Sequence, residues 1–471
     1  MNGNYDVAVI GGGSGGYAAA RTAAAAGLRT VVIEGGEEVG GLCILRGCMP
    51  TKALLYAAEV HHLARHPEVF GIEPGKVRFD FGKVMARKRF LIDGFADYRR
   101  QQLTEGKFQF IRAHARFIDP HTVSLTTGQT LAAENFVLST GSMVAPSPLP
   151  QLDAVGYLNS DTALNLARLP RSMIVLGGGS VALEFAQFFA RFDVKVTLVQ
   201  RSPHVLHEFD PDAAEVIETV FRREGIEVFT GTKLLDATLD STSGKTVTFL
   251  HAEEERRVTA EEIFFALGRV PNTASLDLEK AGVQTQWGRI MTDECMRTRV
   301  SHIYAAGDCT GPYEIVHIAV QQGEVAAHTI ANPAEPRRID YRLRTAVVFT
   351  EPQIATVGLT EKEATAQRIP YRAASYPFND HGKSLIMNAL DGFVKILCDP
   401  VTGEILGGAC VGPLGGELIH ELIAAMHKRM TVRELATMPH YHPTLAEIWT
   451  YPAEELADKI ADGKGLAPPG T

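Results

Sequence analysis

The chain has 471 residues, 45% hydrophobic and 21% charged, with a formal net charge of −9. That length exceeds one hydrophobic core and predicts roughly three domains. The acidic balance argues against nucleic acid or an anionic membrane as the main partner, and no run approaches the ~20 apolar residues of a bilayer span.

The opening stretch Met1–Val9 does not read as a secretory signal, so a reducing cytoplasm is the expected setting. The buried-type strand Asp6–Ile10 leads into Gly11–Gly16, an alanine-rich helix to Ala26, and a second strand ending at Glu34. This is a βαβ unit with a Gly-x-Gly-x-x-Gly turn. Gly11 makes the tight turn, Gly13 admits a pyrophosphate to the backbone, and Gly16 lets the helix pack on the strand. Ser14 and Gly15 complete the loop. The helix N-terminus stabilises phosphate charge, and Glu34 accepts hydrogen bonds from ribose hydroxyls.

Cys43 and Cys48 follow directly, in GGLCILRGCMPTK. Helical periodicity begins near Pro50, which puts Cys48 close to a helix N-terminus, where the dipole favours thiolate. Lys52 and Arg46 add positive charge. A close cysteine pair in a reducing compartment is more often catalytic or metal-binding than structural. Zinc is the rival reading, but no second cysteine pair with metal spacing exists, so no metal site is expected.

Ala132–Ser142 reads as a strand ending in a turn that holds Thr140 and Gly141. Met143–Gln151 is proline-rich and reads as a linker. The βαβ pattern then recurs. Strand Met173–Leu176 leads to Gly177-x-Gly179-x-x-Ala182, helix Val181–Phe192 and a strand ending at Gln200. Two copies a domain's length apart mean two nucleotide sites rather than a solenoid. Gln200 stands where the first copy has its acid, and Arg201 follows. An amide and a guanidinium welcome a ribose 2′-phosphate, which tilts this site toward NADPH over NADH. Two dinucleotide sites in one chain suggest hydride passing between nicotinamide and flavin.

Two further strand-to-glycine segments are Glu261–Asn272, with Gly268, and His302–Gly311, with Gly307 and Asp308. Beyond about Arg337, strand-like runs (TAVVF, FVKILC) alternate with amphipathic helices such as Glu417–Lys428. The tail Gly463–Thr471 is expected to be disordered. Near the end lies HPTLAE, His442 to Glu447. Dithiol–disulfide exchange needs a base that works near neutral pH, and an imidazole oriented by a nearby carboxylate fits.

GGLCILRGCMPTK resembles the redox-active disulfide signature of the flavin disulfide reductases, which include dihydrolipoamide dehydrogenase, glutathione reductase and mercuric reductase. The resemblance continues, in the family's order, through Ser139–Ser142 (STGS), Gly268–Asn272 (GRVPN), Ala305–Cys309 (AAGDC) and His442–Glu447. It implies Cys43 as the thiol that attacks substrate and Cys48 as the charge-transfer thiol beside the flavin. It implies Asp308 at the FAD ribitol–phosphate region, a Lys52–Glu184 pair near the flavin ring, and Gly41 in the FAD-binding loop. It also implies a homodimer in which the His of one subunit completes the other's site. Three positions depart from the pattern: Leu42 replaces a Thr, Ile44–Gly47 differ from the common spacer, and Ser180 stands where several relatives carry Tyr or Ile.

The fold expected is α/β, with two Rossmann-like dinucleotide-binding domains and a C-terminal α+β interface domain. The boundaries expected are 1–148 and 269–340 for FAD, 149–268 for NAD(P), and 341–471 for dimerisation. Gly415–Glu447 is most similar to dihydrolipoamide dehydrogenase, so the expected substrate is a small or lipoyl-linked dithiol or disulfide, with any lipoyl carrier a separate protein. A glutathione-type reductase is an alternative. A mercuric-type reductase is weakened by the cysteine-free C-terminus. An electron-transfer subunit acting only with a partner is the alternative from a different class.

Overall fold

The computed structural model describes residues 5–240, 244–311 and 313–461. The tail Gly463–Thr471 lies outside them. The chain divides into two compact units. One comprises Met1–Leu54, Gly82–Pro146 and Gly268–Asp340; the other comprises Leu55–Phe81, Ser147–Leu267 and Tyr341–Thr471.

In the first unit, β1 (Tyr5–Ile10) is followed by α1 (Ser14–Ala25) and β2 (Thr30–Glu34). Val7, Ala8 and Val9 are fully buried. A parallel strand covered on both faces needs such an uninterrupted apolar run. Five parallel strands lie in the order Gln109–Arg112, β2, β1, Thr130–Leu138, Ile303–Ala305. The first half of Thr130–Leu138 instead pairs antiparallel with Thr122–Leu125, which pairs with Ala115–Asp119. The chain leaves β1 toward one side and later returns on the other, so strand order reverses at β1. Ligands of open α/β sheets bind beyond the carboxyl ends of strands at such a switch point.

The alanine richness of α1 has a packing cause. Helix Val316–Ala331 runs so close that a Cβ on Gly323 would lie 2.2 Å from the Gly15 carbonyl oxygen. Only small side chains fit there, and Ala18, Ala19, Ala20 and Ala23 are all buried. Next in chain order come α2 (Gly41–Leu45), α3 (Cys48–Arg65) and α4 (Phe81–Thr104). Cys48 opens α3 itself, two residues before the periodicity predicted. Pro50 sits in the first turn, where a missing N–H costs nothing. The stretch Met143–Gln151 is more ordered than a linker. Ser142–Val144 pairs with Arg269–Pro271, and Pro150 opens the short helix Pro150–Val155.

In the second unit, four parallel strands lie in the order Glu227–Phe229, Lys195–Val199, Ser172–Leu176, Glu262–Phe265. Helix Ser180–Arg191 follows the third of these. The C-terminal portion is a five-stranded antiparallel sheet, Thr345–Val348, Gln353–Gly358, Ile405–Gly412, Phe393–Cys398, Arg372–Pro377. Helices Gly415–His427 and Thr450–Ala461 cover it over a core containing Phe378 and Trp449, both fully buried. The Trp449 indole N–H donates to the Leu418 carbonyl at 3.2 Å, so burying this large ring leaves no polar atom stranded.

Candidate active site

The first glycine loop is shaped by backbone contact. Gly11 has φ +105°, and a Cβ there would sit 2.2 Å from the Ser139 carbonyl oxygen. A Cβ on Gly41 would sit 2.7 Å from the Gly13 Cα. The segment leading to Cys43 is thereby held directly against the loop expected to carry pyrophosphate. Helix α1 has no side-chain cap at Gly13 and no acidic residue in its first turn. By contrast, Asn159, Thr360 and Thr431 begin helices with full capping boxes. An uncapped N-terminus with glycines at its mouth fits a phosphate, whose charge the free N–H groups and dipole would stabilise. Glu34 stands at the end of β2. Its Oε2 accepts from Gly12 N and its Oε1 from Gly36 N, each at 2.7 Å. These two bonds fix the carboxylate, and each oxygen keeps a lone pair for a ribose hydroxyl.

Beyond the strand Thr130–Leu138, Thr140 has a buried Oγ1 without a hydrogen-bond partner, a polar atom that a bound group would satisfy. Asp308 Oδ2 accepts from Ser142 Oγ at 2.7 Å. Ser142 Oγ in turn accepts from Arg269 Nε at 2.8 Å, and Arg269 Nη2 donates to Ser142 O at 2.9 Å. Gly307 N donates to Gln322 Oε1 at 2.7 Å. Asp308 and Gly307 are thus fixed from three separate segments of the same unit. Together these features fit an FAD nucleotide along the carboxyl edge of the sheet.

Cys43 lies in α2 and Cys48 opens α3; both are partly buried thiols. Their side chains are hydrogen-bonded to each other. That bond, followed by burial, pushes the Cys43 thiol well above its ordinary range, with Lys52 pulling weakly the other way. A thiol raised in this way favours its protonated form, and such a sulfur becomes a nucleophile only when a base takes the proton. Arg99 interacts electrostatically with Cys43. Arg99 of α4 lies over the Tyr17 ring, 4.3 Å from its centroid, and its Nε and Nη1 are buried without a hydrogen-bond partner.

In the second unit the second glycine loop repeats the first. Gly177 has φ +120°, and a Cβ would meet the Ala266 carbonyl oxygen at 2.3 Å. Gly179 caps helix Ser180–Arg191 without a side-chain bond, again with no acid in the first turn, and nothing lies within 4 Å of its would-be Cβ. Ser180 is exposed beside it, so the small side chain leaves this loop open. Gln200 is buried, and its Oε1 accepts from Arg201 N at 2.9 Å; the Arg201 side chain is exposed. The second-unit residues fit a nicotinamide dinucleotide and leave a guanidinium to meet a 2′-phosphate. In the first unit, Gly268 is exposed, with open space where a Cβ would stand. Lys52 lies on α3 in the first unit. Glu184 is buried on its helix in the second, where its Oε1 accepts from Phe349 N at 3.0 Å.

The second unit also brings His442 and Glu447 together. His442 Nδ1 lies 2.9 Å from Glu447 Oε2 and 3.2 Å from Oε1. The ring is 78% exposed, whereas the carboxylate is buried. An outward imidazole held by a buried carboxylate can take up and release a proton near neutral pH. A third residue, invisible in the sequence reading, joins them. His381 is fully buried, with Nε2 3.4 Å from Glu447 Oε1. His440, read as structural, bonds Glu421 through Nε2 and the Met438 carbonyl through Nδ1. Among the described residues no group of three or more His, Cys, Asp or Glu could hold a metal, and no helix is long and apolar enough to cross a membrane.

Comparison with known proteins places this geometry. The family model for pyridine nucleotide-disulphide oxidoreductases matches residues 5–323, and the dimerisation-domain model of the same group matches residues 345–453. A dihydrolipoyl dehydrogenase of Bacillus subtilis is 34% identical over 99% of this chain and 100% of its own length. One of Mycobacterium tuberculosis is 36% identical, covering 94% of this chain and 96% of its own length. Among solved structures, LpdA from Mycobacterium tuberculosis superposes with a TM-score of 0.85 at 30% identity, covering 96% of this chain and 99% of that one. The HOCl-induced flavoprotein disulfide reductase RclA from Escherichia coli gives 0.84 at 26% identity, covering 96% and 99%.

Proposed function

The chain belongs to the pyridine nucleotide-disulphide oxidoreductases and is an FAD- and NAD(P)-dependent disulfide oxidoreductase; from that premise we propose that it exchanges electrons with a lipoyl-type dithiol or disulfide through Cys43 and Cys48. The observation that carries the reading is the contact of Gly41 with Gly13, which tethers the thiol pair to the dinucleotide loop. Bound along the sheet edge, FAD would supply a two-electron relay between nicotinamide and thiols. The chain's own part is division of labour. Gly11, Gly13, Ser14, Gly15, Gly16, Glu34, Gly41, Lys52, Thr140, Gly141, Gly307 and Asp308 hold FAD. Gly177, Gly179, Glu184, Gln200, Arg201 and Gly268 serve the nicotinamide side. Cys48, at the positive end of α3, is the better placed sulfur to carry charge. Cys43 keeps its proton, so it meets substrate as a thiol that needs a base. His442, oriented by Glu447, takes that proton and returns it.

In this reading the subunits form a homodimer through residues 341–471, and the His442 that serves one Cys43 comes from the partner subunit. FAD occupies residues 1–148 and 269–340, and NAD(P) occupies 149–268. A lipoyl carrier, where one is used, is a separate protein, and the cytoplasm is the setting. The relatives' name, dihydrolipoyl dehydrogenase, supports the lipoyl substrate. The free Arg201 beside Gln200 favours NADPH.

A kinetic panel tests this: NADH and NADPH against lipoamide and glutathione disulfide, with dihydrolipoamide in reverse. Lipoamide turnover that Cys43→Ser and Cys48→Ser each abolish is the expected result. Turnover of glutathione disulfide but not lipoamide would replace the substrate. No turnover of any small disulfide would favour an electron-transfer subunit that acts only on a partner protein.

A further inference from the structure

The carboxylate that orients His442 carries a second imidazole. His381 Nε2 stands 3.4 Å from Glu447 Oε1, while His442 Nδ1 takes the other oxygen, Oε2, at 2.9 Å. His381 Nδ1 lies 2.8 Å from Ser384 Oγ. Burial lowers the His381 pKa against the opposing pull of Glu447, so the ring is neutral and carries one N–H. Glu447 offers only acceptors, whereas the Ser384 hydroxyl can donate or accept. The tautomer with its proton on Nε2 turns an N–H toward Glu447 while Ser384 donates to Nδ1, although Nε2 makes no hydrogen bond at this distance. At 3.4 Å the N–H and carboxylate are in charge contact, longer than a well-formed hydrogen bond.

We propose that His381 is a positioning residue for the proton-transfer pair, holding the Glu447 carboxylate so that Oε2 stays on His442. In the isolated subunit the His442 ring is 78% exposed, so its own chain offers it little packing. Its orientation rests on the bond to Glu447, and the carboxylate can turn about its own terminal torsion unless its second oxygen is also held. His381 is suited to that task because it is immobile. It is fully buried, bonded to Ser384, and meets the Tyr451 ring edge-on at 6.3 Å; Tyr451 stacks on Tyr376 at 4.1 Å. The charged groups that act on His381 are Glu447 and His442, with Asp380 one step away, bound to the Tyr376 hydroxyl. Ser384, His381, Glu447 and His442 thus form one chain from the core to the exposed ring.

The inference rests on the reading of His442 as the base, and the experiment separates the two. Turnover of lipoamide with NADH is measured for wild type, His442→Gln, His381→Asn and His381→Gln, with thermal melting as the check on folding. Asn places its amide where Nδ1 was, toward Ser384, and loses reach to Glu447. Gln places an N–H donor where Nε2 was. His381→Asn is expected to lower kcat about three- to tenfold with KM little changed, because a carboxylate free to turn leaves His442 misoriented for most of the time. His381→Gln is expected to restore most of it. In a Glu447→Gln background, His381→Asn is expected to add less than about twofold, because the group it positions is already neutral.

Equal losses for the Asn and Gln variants, or a full independent loss on top of Glu447→Gln, overturns the proposal. Should His381→Asn not fold, Ser384→Ala removes the hydroxyl that sets the tautomer, and an unchanged kcat there overturns it equally. His442→Gln with normal turnover sinks the base reading. His442→Gln without turnover, together with His381→Asn at wild-type kcat, sinks this inference alone.

Discussion

Replacing Glu447 by Gln isolates charge from shape at the proton-transfer pair. The amide is nearly isosteric, and its oxygen can still accept from His442 Nδ1, so the ring keeps its place. What is lost is the anionic half of a 2.9 Å bond. Hydrogen bonds to charged groups are worth about 1.5–3 kcal/mol, against about 1 kcal/mol for neutral ones. The carboxylate is buried, which preserves its effect, but the imidazole is 78% exposed, and water screens the pair from that side. The low end of the range therefore applies, a difference of about 0.5 kcal/mol. With about 1.4 kcal/mol for each factor of ten in rate, kcat with lipoamide should fall about two- to threefold while KM for NADH is unchanged. Ferricyanide, an electron acceptor that does not need the thiol pair, provides the control and should be reduced at the wild-type rate. A parallel loss with both acceptors would refute the reasoning, because the substitution would then be acting on the fold or the cofactor. Wild-type rates with both would refute it from the other side, by showing that the charge on Glu447 plays no part.

Thiol chemistry should separate the cysteines. Cys309 is fully buried and its pKa is pushed up to about 11, chiefly by burial, and burial likewise raises Cys398 to about 12. Iodoacetamide at pH 8 applied to the NADH-reduced protein should label Cys48 and the partly exposed Cys295 in peptide mapping and leave Cys309 and Cys398 unlabelled; label on Cys309 would contradict the buried placement. Gln200→Glu should lower kcat/KM for NADPH about tenfold and that for NADH far less, since the new carboxylate repels a 2′-phosphate; equal losses would remove Gln200 from the specificity site. Burial pushes the Glu351 carboxyl up to about 8 from the usual 4.5. Between those values the folded state keeps a proton that the unfolded state has released, so stability falls as pH rises from about 4.5 to about 8 and levels off above. Glu351→Gln should flatten this dependence and melt higher than wild type at pH 8; parallel pH curves for the two proteins would exclude it. Trp449→Ala should cost about 3–5 kcal/mol in urea unfolding, the usual loss for a fully buried aromatic side chain.

What was legible in the sequence was what short stretches of chain decide. The two glycine loops declare themselves because strand, turn and helix are contiguous, and the physical demand on each glycine is met by neighbours in the same unit. Cys43 and Cys48 are close in sequence, and so are His442 and Glu447, whose pairing needs only the intervening turn. The proline-rich stretch Met143–Gln151 was legible as a linker, and the break between the two units falls inside it, at Pro146–Ser147, but the short strand at its start was missed. Ser142–Val144 is a strand only because Arg269–Pro271 comes beside it, and no local signal announces that partner. Arg269 stood in the visible GRVPN and Gln322 stood in no motif, but the tasks of both were missed, because the bond from Arg269 to Ser142 and the bond that Gln322 accepts from Gly307 depend on how the fold brings distant segments together. His381 shows the limit most sharply. It sits in PFNDHGK with no spacing to any other titratable residue that would single it out among sixteen histidines. It reaches Glu447 because strand Arg372–Pro377 lies at the edge of the C-terminal sheet, against helix Thr450–Ala461, whose first turn follows Glu447. Residues that perform chemistry are constrained by reactivity and leave patterns. Residues that hold them in place are constrained by topology, and only the folded chain reveals which those are.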